Sequence, residues 1–152
     1  MKKFFIATVL SVCVSNAFAE DVYLLTHNNS ATSSIATELE KFVGPINTET
    51  AEPTLISQHN FDLFVIESND YAENIDSLTN NTLQGAEAIL ITGQPKNNSK
   101  VAKYLLGYSV EAEYLLIKGL KEEQAPELIY FNNDKELPLN KVAHLIVKKA
   151  LK

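Results

Sequence analysis

Hydroxyl side chains concentrate in LLTHNNSATSSIATEL, Leu24 to Leu39. Thr26, Ser30, Thr32, Ser33 and Ser34 fall between an apolar run and the start of a helical stripe. A strand, a polar turn and a helix N-terminus in that order bring free N–H groups and hydroxyls around one point, suited to a small anion or polar ligand. Thr26, His27, Asn28, Asn29, Ser30 and Thr32 are therefore the candidate ligand-binding residues. The turn contains no glycine, although close backbone approach to a phosphate usually uses one. A plain connection accounts for the same residues, because every parallel strand reaches its helix through a polar turn with a capping Ser, Thr or Asn.

The other chemistry-bearing groups are sparse. Glu67 and Asp70 close an apolar run at the place where α/β sites gather, and such a pair suits hydrolysis or a divalent ion. Asp70 as a helix cap explains the pair with less. His27, His59 and His144 have no metal-ligand spacing, and structural roles suit them. There is no Gly-X-Ser-X-Gly elbow and no Ser-X-X-Lys unit placed to act as an acylating pair. The expectation is a chain that is not an enzyme and holds no metal or cofactor. Tyr104, Tyr108 and Tyr114 in YLLGYSVEAEYLL suit either a core or a protein-binding face, and they are the candidate partner-binding residues.

The elements that must carry these groups alternate in type. Val22–Leu25, Leu63–Ile66, Ala88–Ile91 and Leu128–Phe131 are short apolar runs of the kind buried on both faces of a parallel sheet. Thr54–Ser57 is a weaker strand. Ile35, Leu39, Phe42 and Val43 form a helical stripe stopped by Gly44-Pro45. Tyr71, Ile75 and Leu78 form another, capped by Asn69 or Asp70, and Val101, Leu105 and Tyr108 a third, capped by Ser99. Val142, Ala143, Ile146 and Ala150 face inward on a final helix that starts near Pro138, with Lys148, Lys149 and Lys152 at its C-terminal end. Val101–Leu120 reads as one long helix or, preferably, as a helix ending at Gly107 and a strand over EYLLIKG. Strand and helix in alternation predict a single α/β domain, a three-layer sandwich with a mainly parallel sheet, flavodoxin-like or Rossmann-like.

The ends and the charge narrow the setting. Residues 1–19, with Lys2, Lys3, the apolar run Phe4–Val14 and small Ala17 and Ala19, read as a cleaved secretory signal, leaving residues 20–152 as the domain. Cys13 follows Val12, where lipoprotein processing wants a small residue, and it is the one cysteine of the 152-residue chain. A cysteine-free exported domain points to a bacterial periplasm or to secretion. All 13 basic residues are Lys, against 19 acids. Removing the signal leaves a net charge of about −8, which disfavours nucleic acid and anionic membrane surfaces. Asn28, Asn80 and Asn97 open Asn-X-Ser/Thr triplets that in a bacterial setting are polar loops. No run has the length of a transmembrane helix.

Two resemblances bear on these residues. The Ser/Thr-rich turn at Thr26–Ser34 resembles the phosphate loop of flavodoxins in placement and hydroxyl content. That likeness covers about twenty residues and implies an α/β sandwich that binds flavin mononucleotide; no later loop matches one that stacks a flavin ring. The signal followed by DVYLLTHNNS, the overall length and YLLGYS look like the small accessory proteins encoded with pore-forming cytolysins of vibrios. This resemblance implies a non-enzymatic exported protein that assists secretion or folding of a partner, a pore-forming toxin. A small-ligand-binding domain using the Thr26–Ser34 loop is the alternative.

Overall fold

The apolar runs form the interior of a six-stranded sheet in the order β2-β1-β3-β4-β5-β6. The computed structural model describes residues 21–26, 34–50, 61–73, 75–78, 85–120, 124–132 and 136–152. In chain order these give β1 (Val22–Thr26), α1 (Ser34–Val43), β2 (Asn47–Thr50), β3 (Phe61–Glu67), α2 (Ser68–Tyr71), a 3₁₀ turn at Ile75–Ser77, β4 (Ala86–Thr92), α3 (Pro95–Leu106), β5 (Tyr114–Lys118), β6 (Glu127–Phe131) and α4 (Leu139–Ala150). The segment read as a secretory signal, the strand expected at Thr54–Ser57, and His59 lie outside the described residues.

Strand alternation sorts the core into two clusters, one on each face of the sheet. Leu25, Phe64, Ile66, Ile89, Ile91, Leu115 and Ile117 pack with Tyr71, Leu78, Val101 and Ala102 from the side of α2 and α3. Leu24, Leu63, Val65, Ala88, Leu90 and Leu116 pack with Ile35 and Leu39 of α1 and with Val142, Ala143, Ile146 and Ala150 of α4. The inward residues expected of the last helix are those the structure buries. Tyr23 joins Phe61 and Phe64 in an aromatic group, with ring centroids 4.9 and 6.1 Å away.

The fold is α/β, but its sheet is mixed, which corrects the expectation of a mainly parallel one. β1 pairs in parallel with β2 and β3, and β3 with β4. β5 runs antiparallel to β4 and to β6. The reason lies in the link between α3 and β5. A twelve-residue helix such as α3 is about 18 Å long, and the extended segment 107–113 can span about 23 Å. That segment returns along the helix, so β5 starts beside the end of β4 instead of its beginning. The fully buried Asn98, in the first half of α3, fixes this return by donating its amide to Ala112 O and Glu113 O, both at 2.8 Å.

Helix ends also depart from expectation in places. Gly44 and Gly107 take left-handed conformations at φ 85° and 82° and stop α1 and α3, as their positions suggest. Ser99, expected as a cap, lies inside α3, which begins at Pro95 with Gln94 in the capping position. Asn69 and Asp70 likewise lie within the short α2, free to use their side chains elsewhere. Phe42, expected inward, is exposed and stacks on His144 of α4 at 5.3 Å. β2, with the sequence NTET, had no apolar run to mark it.

Candidate functional site

The carboxyl ends of β1, β3 and β4 and the reversed start of β5 meet along one edge of the sheet. The register sets Glu67 beside Thr92 and Thr92 beside Tyr114. Alternation puts Thr26, Glu67, Thr92 and Tyr114 on the face that carries α1 and α4. The apolar ladder therefore ends in a polar row, of which Glu67, Thr92 and Tyr114 floor an open cleft of about 480 Å³. Ser34 at the start of α1, Asp70 of α2, Gly93 and Gln94 after β4, and Glu113 before β5 complete its wall.

Three side chains hold the loops around this cleft. Asp70 accepts a hydrogen bond from Thr26 Oγ1 at 2.5 Å and so ties the end of β1 to α2. Asn69 Oδ1 accepts from the Gln94 amide and from Asn97 Nδ2, both at 2.9 Å, joining α2 to the start of α3. Asn98 accepts from Ser68 Oγ at 2.5 Å and reaches Gly93 O at 3.4 Å in addition to its two bonds to the return segment. Gly93 sits at φ 133°, and a Cβ there would press on Ser68 Oγ and stand 2.8 Å from Glu67 Oε1. Only glycine fits this turn without displacement.

The electrostatics follow from burial and from acids. Tyr114 has its phenol pushed up by burial, then by Glu113 and Glu67 nearby. Tyr71, beneath the same edge, is raised by burial and secondarily by Asp70. Both phenols remain neutral well into alkaline solution. A group with a raised folded pKa keeps its full stabilising effect below the unfolded value and loses it as pH climbs toward the folded one. Stability should thus fall above the ordinary phenol value of 10.0. Tyr71→Phe is expected to flatten that fall, read from urea midpoints at pH of about 8 and about 11. An unchanged difference between the two midpoints would refute the assignment.

Of the candidate ligand residues, Thr26 is buried and reaches the cleft only through its bond to Asp70, while His27, Asn28, Asn29, Ser30 and Thr32 lie outside the described residues. With Glu67, Asp70 and Glu113 around it, the cleft repels a phosphate and suits amines or neutral hydroxyl-rich groups. Glu67 and Asp70 do share the site, as their spacing suggested, but Asp70 serves Thr26 instead of capping a helix. Among the described residues no group of acids, histidines or cysteines has the arrangement of a metal site. Of the three tyrosines, Tyr114 lines the cleft, whereas Tyr104 and Tyr108 lie on the α3 side and are exposed. The sequence reading missed Asn98. The available signal was a polar residue at the inward helical spacing of Val101, Ala102 and Leu105.

Comparison with family models, with curated proteins and with solved structures returned no match.

Proposed function

We propose that this chain is a non-catalytic exported accessory protein that binds a partner protein and assists its secretion or folding, the partner being of the pore-forming toxin class. The observation that carries the reading is the exposure of Tyr104 and Tyr108, at 36% and 51%. Their neighbours Leu105 and Leu106 pack against the core, so the two rings are left outside by position, not by lack of a core to join. Exposed aromatic rings are the residues that contribute most when protein surfaces meet. Lys103 and Glu111 beside them are exposed and charged, and would keep such a face soluble when vacant.

The double variant Tyr104→Ser, Tyr108→Ser tests this. Both rings are outside the core, so stability should shift by no more than about 0.5 kcal/mol per site. Capture of a co-exported partner should be lost, as read by native mass spectrometry of the protein recovered from exporting cells. Equal partner occupancy in the variant and the parent would sink the proposal.

A second reading rests on the cleft. The order β2-β1-β3-β4 with parallel pairing supports a flavodoxin-like arrangement of the first four strands, in which ligands sit beyond the strand ends. The hydroxyls of Thr92 and Tyr114 among carboxylates would hold an amine or polyol. A retained small-molecule mass in the same spectrum would favour this reading over the first.

A further inference from the structure

The two edges of the sheet are built differently. β2 is short and wholly polar, a form that discourages pairing with other strands. β6, ELIYF, has four apolar residues in five positions and neither Lys nor Pro to block an approaching strand. Among the described residues β5 is its sole ladder partner, which leaves its outer backbone edge open. Leu128 packs toward one core cluster, and Ile129 and Phe131 toward the other, each partly buried. Tyr130 is 55% exposed, the largest exposure among the big apolar side chains of the described residues.

The two ends of β6 also differ in charge. At its start Glu127 pairs across from Lys118, whose amine donates to Lys149 O at 2.9 Å. Among the described residues Lys118 and Lys152 line the hollow at this end with Asp62, Glu87 and Glu127, and Lys148 and Lys149 stand in the last turn of α4 beside it. At its finish the Glu113 amide donates to Asn132 Oδ1 at 3.1 Å. Glu113 stands at that end through this bond, with Glu111 two residues before it, and Lys141 is the one base on the first turn of α4.

We propose that a second copy of this chain docks on β6, strand against strand and antiparallel, so that one continuous sheet crosses a two-fold axis. A register centred on Ile129 pairs the whole strand. It sets Tyr130 of each copy across from Leu128 of the other, an aromatic–aliphatic pair on one face, and Ile129 beside its own copy on the opposite face. The same antiparallel arrangement brings the acidic finish of each β6 beside the lysine-rich start of the other. A parallel approach would put like ends together and gain neither match. The occupant is thus selected by the strand's own complementarity, despite a net charge of −6 that disfavours association at long range. The contact is separate from Tyr104 and Tyr108, and the inference does not depend on the proposed accessory role.

Sedimentation equilibrium of the full protein, as recovered from cells, tests this directly. An edge pairing of this size belongs to the weak interface class, with an expected Kd on the order of 10–100 µM at low salt. Raising salt to roughly 0.5 M should weaken it several-fold, because the matched ends are exposed. Tyr130→Lys should weaken self-association by at least about thirtyfold with the thermal midpoint unchanged, since a lysine on an edge opposes pairing. Tyr104→Ser, Tyr108→Ser should leave it intact. Amide exchange of the parent protein gives a reading independent of any variant: protection across 127–131 should rise with protein concentration. A monomer persisting to about 1 mM, or β6 protection that ignores concentration, overturns the proposal. So does a dimer that survives Tyr130→Lys, a dimer lost in the Tyr104/Tyr108 variant, or a different protein found on β6.

Discussion

Asn98→Leu should cost about 3–5 kcal/mol of stability. The residue is fully buried. Its amide nitrogen serves three carbonyl oxygens, those of Gly93, Ala112 and Glu113. Its amide oxygen takes the Ser68 hydroxyl. Leucine fills a similar volume but withdraws the partner of the buried Ser68 hydroxyl and Ala112 carbonyl, each costing about 1–3 kcal/mol, and one partner of the part-buried Gly93 and Glu113 carbonyls. Asn98→Asp should be at least as damaging, because an ionised carboxylate has no donor for the carbonyls. Urea denaturation followed by circular dichroism reads the loss as a shift of midpoint at constant slope. A loss under about 1 kcal/mol would mean that the return segment 107–113 is held by its apolar packing alone.

Gly93→Ala should cost roughly 2–4 kcal/mol, from a backbone angle that side chains rarely adopt and from a Cβ with no room. The nearest atoms belong to Ser68, Glu67 and Asn69, the last at 3.0 Å. Ser68 is fully buried and bonded to Asn98, so it cannot swing aside without breaking that bond. Removing the obstructing hydroxyl should therefore help the crowded variant. Gly93→Ala combined with Ser68→Ala is expected to be more stable than the sum of the two single losses by at least about 1 kcal/mol. Strict additivity in thermal denaturation would show that backbone strain, and not contact with Ser68, sets the cost.

The apolar runs were readable because a strand buried on both faces leaves no polar position to confuse the period. β1, β3 and β4 contain the runs expected of them and are largely buried, whereas β6 contains its run but lies at the edge of the sheet with no residue fully buried. Gly107 was readable for a similarly local reason, since a left-handed helix stop selects glycine strongly. The direction of β5 was not. YLLIK has the same pattern in a parallel or an antiparallel setting, and the choice rests on a return segment pinned by one buried amide. That amide is marked in the sequence only by its inward spacing with Val101, Ala102 and Leu105, which does not say where its hydrogen bonds go. β2 escaped because an edge strand needs no apolar run, and NTET reads as a loop. The site was readable only as scattered parts. Glu67 and Asp70 are near in sequence, but Thr92, Glu113 and Tyr114 join them through the register of the sheet, which no spacing along the chain encodes.

The strand order has a consequence for how the chain finds its structure. From β3 to β6 the order in space repeats the order in sequence, so each strand can dock on a neighbour that immediately precedes it. The shortest of these closures, eight residues between β5 and β6, is entropically the least costly and the fastest. β2 breaks the sequence by lying outside β1, while the chain must then cross to the other side of β1 to begin β3. Its short, polar strand brings little apolar surface to the sheet. The region from β3 to β6 is thus the natural folding nucleus, and β2 the last element to lock and the first to open.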